Sequence, residues 1–200
     1  MPPISSSPPA ERQTGWLAQD RNALAADRIL DAAAVLFTTE GVGRTTMAQV
    51  ALAAGCSRAT LYNHFSDRRH LETAFVHREA VNLSNRVAER TAHIADPRQR
   101  IHAAFSATLD EVRGDARLSA WFSTGDVGLA TAISADSEVL DAIARAFAGS
   151  VSPEVDADDL RRRARWLLRM VLSLLAMPEP DPAEESALIH SFVVPAMTAA

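Results

Sequence analysis

Residues 28–71 read RILDAAAVLFTTEGVGRTTMAQVALAAGCSRATLYNHFSDRRHL, and this stretch decides the fold. Ala25, Ile29, Ala32, Ala33, Leu36 and Phe37 recur at i, i+4, i+7 and i+8, the single apolar stripe of a helix beginning at about Asn22. Gly41 and Gly43 stop it, as glycine does just past a helix C-terminus. Thr45 and Thr46 are N-cap candidates for a short second helix whose buried face is Met47, Val50, Ala51 and Ala54. Gly55-Cys56 then makes a tight turn, and Ser57 caps a third helix running to His64. Ser66 or Asp67 caps a fourth of about 25 residues, which opens with Arg68-Arg69. Two short helices joined by a glycine-containing turn are the plan of a helix-turn-helix.

The third helix carries the chemistry. Leu61 and Phe65 suit a core, whereas Ser57, Arg58, Ala59, Thr60, Tyr62, Asn63 and His64 suit the major groove and its phosphate walls. Arg58 has the fork to meet a guanine edge, and the methyl groups of Ala59 and Thr60 can meet a thymine methyl. Thr46 and Arg68 stand at helix starts, where backbone N–H groups and positive charge hold phosphates.

The segment closely resembles the DNA-binding domain of the TetR (tetracycline-repressor-like) family. The matching residues are Ile29-Leu30, Ala32-Ala33 and Leu36-Phe37 of the first helix, then Gly41 and Thr45-Thr46. They continue with Ala53-Ala54-Gly55, Ser57, Thr60-Leu61-Tyr62, His64-Phe65 and Leu71. The resemblance implies base-reading positions at Arg58, Ala59 and Thr60, and phosphate contacts at Thr46, Tyr62, His64 and Arg68. Cys56 replaces the family's usual valine, Ala59 its frequent glycine and Arg68 its usual lysine. The methyl group of Ala59 means that the operator sequence does not carry over from relatives.

Beyond the motif the helices lengthen. Asp96-Pro97 opens one with Ile101, Ala104, Phe105, Thr108, Leu109 and Val112 inward, and Gly114 ends it. A short helix from Leu118 to Thr124 closes at Gly125, and another spans Asp136 to Ala148 with Leu140, Ile143, Ala144 and Phe147 inward. Val155 to Met177 is long, broken by MPEPDP, and the last helix runs from Glu184 to about Ala199. Its apolar side is Leu188, Phe192, Val193 and Ala196, and Pro195 kinks it. The expected fold is all-α with about nine helices, a flexible arm over 1–20, a helix-turn-helix domain over 21–66 and a helical effector-binding and dimerisation domain over 67–200.

The charge agrees once it is divided. Residues 1–80 carry eight arginines and eight acids, while 81–200 carry twelve arginines against seventeen acids, the whole of the net charge of −5. A neutral head on an acidic body argues against a broad non-specific basic surface, and so against a DNA-organising protein. None of the six histidines is paired at i+3 or i+4, and no phosphate loop, Cys-x-x-Cys or Gly-x-Ser-x-Gly occurs, so neither an enzyme nor a metal or other cofactor is expected. One cysteine, no signal peptide and no bilayer-length apolar run point to the cytoplasm.

A reader of so few base pairs gains specificity as a dimer on two half-sites, and the second half of the helix at 155–177 is apolar nearly all round, as a dimer helix is. The resemblance implies that this helix and the last one form a four-helix bundle with their symmetry mates. It also implies a pocket for an unidentified small-molecule effector among the middle helices. Phe105, Trp121, Phe122 and Trp166 are candidates for its walls, with His102, Asp126 and Arg169 as polar contacts.

Overall fold

A computed structural model describes residues 11–122, 127–135 and 137–198, and every regular element among these residues is helical. Helix α1 (Glu11–Glu40) begins eleven residues before the expected start, so the expected arm is helical from residue 11 onward. Its buried stripe is Ile29, Leu30, Ala33, Ala34 and Phe37. Gly41 ends it at a φ of +89°, a conformation that costs glycine nothing. The Thr45 hydroxyl ties the following turn to the Gly41 carbonyl at 3.0 Å.

Helix α2 (Met47–Ala53) starts from a complete capping box. The Thr46 N–H donates to Gln49 Oε1 at 2.9 Å, and the Gln49 N–H donates to Thr46 Oγ1 at 3.3 Å. Gly55, at a φ of +67°, turns the chain into α3 (Arg58–His64), where Ser57 Oγ accepts the Thr60 N–H at 3.0 Å. Asp67, rather than Ser66, caps α4 (Arg68–Thr91) by accepting the His70 N–H at 2.8 Å. A first core gathers Ile29 and Phe37 of α1, Val50 of α2, Leu61 of α3, and Leu71 and Phe75 of α4.

The body follows. Helix α5 (Pro97–Gly114) has Asp96 at its N-cap and proline in its first turn, as expected. Helix α6 (Ala116–Ser119) runs into a 3-10 turn at Ala120–Phe122. Helix α7 (Val127–Ala135) lies where the sequence pattern predicts no element. Its residues, VGLATAISA, are apolar almost throughout, so no amphipathic period announces it. Helix α8 (Glu138–Val151) is capped by Ser137 and α9 (Ala157–Ala176) by Asp156. A second core joins Ile101 and Leu109 of α5, Ala148 of α8, Leu167 and Leu174 of α9, and Ile189 and Met197 beyond them.

The last helix, α10, comprises Pro182–Leu188, a π-helical turn at Ile189–Val193 and Val194–Thr198. Proline has no N–H to donate to Ser191 four residues back, and the chain widens by one turn just ahead of it. The buried face is therefore Ile189, Val193, Val194 and Met197, with spacings of four and five. Phe192 and Ala196, expected on that side, are exposed, Phe192 to 67%. The fold is all-α, with ten helices among the described residues, close to the nine or so expected. No helix among the described residues is long and apolar enough to cross a membrane.

Candidate nucleic-acid interface and cavity

The two faces of α3 divide cleanly. Leu61 is fully buried and Phe65, its C-cap, nearly so, which fixes the helix against α1 and α4. On the other side Ser57, Arg58, Ala59, Thr60, Tyr62 and Asn63 are exposed, and His64 is half-buried. Tyr62, at 48%, presents a large ring to solvent where its own core offers no place for it. The capping Ser57 and Thr60 hydroxyls lie 2.8 Å apart and hold one another. Arg58 forms no hydrogen bond or ion pair among the described residues, so its guanidinium is available. Thr46 is exposed at the start of α2, its hydroxyl 2.6 Å from Gln49 Oε1.

Arg68 stands differently. Its Nη2 donates to the Val42 carbonyl and its Nε to Glu72 Oε1, both at 2.6 Å. Glu72 has only 4% of its side chain exposed, so Arg68 neutralises a buried carboxylate while pinning the turn after α1 to the start of α4. Neighbouring Arg69 is exposed and makes no such bond, and Arg44 is exposed with its Nε on the Glu40 carbonyl at 2.5 Å. The His70 N–H, followed by the Ser66 hydroxyl, holds the Asp67 carboxyl below its ordinary value, so the cap of α4 stays ionised.

Behind this head lies a cavity of about 510 Å3 between α4, α5, α8 and α9. Phe105, Trp121 and Phe122 line it. His102 does not, since it faces α10 with its Nε2 3.0 Å from Ser186 Oγ. Nor do Trp166 and Arg169: the side of α9 toward the cavity is Leu167, Leu168, Val171, Leu172 and Leu175. At 100° per residue those positions leave Trp166 and Arg169 on other faces, Trp166 against the second core and Arg169 exposed. Asp126 lies outside the described residues.

Trp121 belongs to both regions. It lines the cavity, and its indole is stacked on Phe75 at 5.7 Å between ring centroids and meets Phe37 edge-on at 5.4 Å. The first core thus extends through Trp121 to Ala130 and Ile133 of α7.

Residues 29–74 match the family model described as "Bacterial regulatory proteins, tetR family". An HTH-type transcriptional regulator of Mycobacterium tuberculosis, itself uncharacterized, is 44% identical over 187 residues, covering 94% of this chain and 92% of its own. The chain belongs to the TetR family. Among solved structures, the TetR repressor AlkX from Dietzia superposes with a TM-score of 0.66 at 19% identity, covering 85% of this chain and 93% of that one. FadR from Thermus thermophilus, a TetR-family repressor solved in complex with lauroyl-CoA, superposes with a TM-score of 0.57 at 21% identity, covering 88% and 96%. As a TetR-family protein the chain is a DNA-binding transcriptional regulator with a helix-turn-helix, and not an enzyme.

Two features of this TetR-family chain escaped the sequence reading. The internal engagement of Arg68 joins residues 26 apart in the chain, and no local pattern encodes that. Arg100 lines the cavity although nothing in its neighbours, RQRIH, separates it from a surface arginine. The exposure of Arg69 had a weak signal, since it adjoins Arg68 at a helix start.

Proposed function

We propose that this TetR-family regulator is a ligand-responsive repressor, which binds a palindromic operator as a homodimer and is released by a small-molecule effector. The observation that carries the reading is α3 itself: apolar residues anchor one side, and Arg58, Thr60, Tyr62 and Asn63 are exposed on the other. A helix of that form enters the major groove with its polar side to the bases. Arg58, Ala59 and Thr60 then read bases, while Ser57, Tyr62, Asn63 and His64 meet the groove walls and Thr46 the phosphates. Arg44 and Arg69 are better placed for phosphates than Arg68, whose guanidinium is already engaged.

The cavity supports the effector. Its size falls within the range of small-molecule sites, and Trp121 joins its wall to the core under the helix-turn-helix. An effector that favours a different setting of that wall shifts the spacing of the two heads and weakens their joint grip. The lauroyl-CoA complex of Thermus FadR makes acyl compounds a reasonable first class to test. Dimerisation is supported by apolar side chains that stand exposed near the ends of α9 and on α10, Met177 at 69% and Phe192 at 67%. The protein acts on chromosomal DNA in the cytoplasm, with residues 21–66 as the reading head and 67–200 as the sensing and pairing body.

Selection of bound sequences from a random DNA pool tests the reading. It should return an inverted repeat with half-sites about one helical turn apart. Recovery of unrelated sequences, or of none at low ionic strength, would overturn it.

A further inference from the structure

The effector's class can be narrowed, and the inference rests on the effector-release reading above. Away from the exposed rim the described residues of the cavity wall offer almost no free polar chemistry. The hydroxyls of Ser84, Thr91, Thr108, Ser134 and Ser150 each donate to a carbonyl three or four residues back on their own helix. The buried Glu79 carboxylate is held by Arg78 at 3.0 Å. Two donors on cavity-lining residues are buried and without a partner among the described residues, the indole Nε1–H of Trp121 and the Nε–H of Arg100. Buried donors in native proteins nearly always have an acceptor, and both atoms are closed to water in the empty cavity, so a molecule that shifts the wall far enough to reach them gains by bringing one to each.

The two donors stand at opposite ends. Cavity-lining residues run along α4 from Val76 to Thr91, a rise of roughly 22 Å. Trp121 stacks on Phe75 at the N-terminal end of that run. Arg100 lies in the first turns of α5, which follows the C-terminal end of α4 after a short loop. The ends also differ in charge. Arg100 makes no ion pair among the described residues and offers a guanidinium suited to a carboxylate. Near Trp121, Arg78 is already shared among Glu79, Asp27 and Asp31 and has no charge to spare for an anion, which leaves a place for a neutral oxygen.

We propose that the effector is an elongated apolar carboxylate with a neutral oxygen near its far end, that is, a long-chain hydroxy or oxo acid. Its carboxylate pairs with Arg100, its chain lies along α4, and its distal oxygen accepts the Trp121 N–H. Docking there bears directly on the ring packed against Phe37 and Phe75, so the distal oxygen is also the group that reaches the DNA-binding core.

Calorimetric titration of the full chain without DNA tests this with four probes at dodecyl and hexadecyl length: the alkanoate, the ω-hydroxyalkanoate, the alkanol and the α,ω-dioate. The hydroxy acid should bind about tenfold tighter than either the alkanoate or the alkanol, one satisfied buried donor being worth about that factor. The dioate should bind more weakly than the hydroxy acid. Trp121→Phe should abolish the advantage of the ω-hydroxyl and keep that of the carboxylate, and Arg100→Met should do the reverse. Equal affinities for alkanoate and hydroxy acid, a tighter dioate, or no binding by any probe would overturn the proposal, and the unmutated protein alone suffices to decide. Operator release, followed by anisotropy of labelled DNA, should rank the probes in the same order, and binding without release would overturn the effector role. Since the titration contains no DNA, a failure to find any operator counts against the regulatory reading and leaves the ligand ranking to stand or fall separately.

Discussion

Arg58 and Arg68 stand ten residues apart and are held differently: Arg58 is exposed, whereas Arg68 is engaged with Val42 and Glu72, so on the proposed function only the first acts through DNA. Removing Arg68 leaves the Glu72 carboxylate buried without its counter-charge, and Arg68→Ala should cost roughly 1–3 kcal/mol in urea unfolding. Combining Arg68→Met with Glu72→Leu should recover most of that loss, since the pair is then replaced by apolar groups rather than broken. Arg58→Ala should leave stability within about 0.5 kcal/mol, because its side chain is exposed and makes no hydrogen bond or ion pair among the described residues. It should instead lower operator affinity by about 1–3 kcal/mol and relax preference at one base. Equal effects of the two variants on stability would refute this division. His77 gives a second residue-scale test. Burial pushes its imidazole below the ordinary value of 6.5, and its Nε2 lies 2.9 Å from the Ser137 hydroxyl that caps α8. The folded state prefers the neutral ring, so this contribution is complete above the unfolded value of 6.5 and is lost as pH falls below it toward the lowered folded value. Melting temperature should decline on acidification through that window, and His77→Gln should flatten the decline.

At the scale of the element, α2 and α3 are seven residues each, too short to persist without their caps and their shared core. Thr46→Ala should cost about 1 kcal/mol, since it dissolves the capping box with Gln49. Gly55→Ala isolates the turn between them. A Cβ built there meets nothing within 4 Å, so crowding plays no part and only the φ of +67° opposes the substitution. The expected loss is about 1–2 kcal/mol in the same unfolding assay. These caps were legible in the sequence because each is a local device, a threonine, serine or aspartate beside the amides that it satisfies. Helix α7 was not legible, since its nine residues are apolar on nearly every side and no polar face marks its period. The inward face of α10 was misplaced for a related reason: the π turn ahead of Pro195 changes the spacing on which the reading depended.

For the whole molecule, the first and second cores both reach the cavity, and Trp121 lies where the first core meets its wall. Phe192 of α10 finds no cover among the described residues. If it lies on the pairing surface, Phe192→Asp should convert a dimer into a monomer in sedimentation velocity while the chain remains folded. Operator affinity should then fall steeply, because a single head holds only one half-site. A variant that stays dimeric would place the pairing surface elsewhere.

The sequence alone determined the helix-turn-helix, its caps and the polar face of α3, because these follow from spacings of three and four residues and from side chains that bond to near neighbours. Tertiary structure decided what Arg68 holds, that Arg100 rather than His102, Trp166 or Arg169 reaches the cavity, and that Trp121 joins the cavity to the reading head. Those facts depend on helices distant in sequence being brought side by side, and no period along the chain records which of their faces meet.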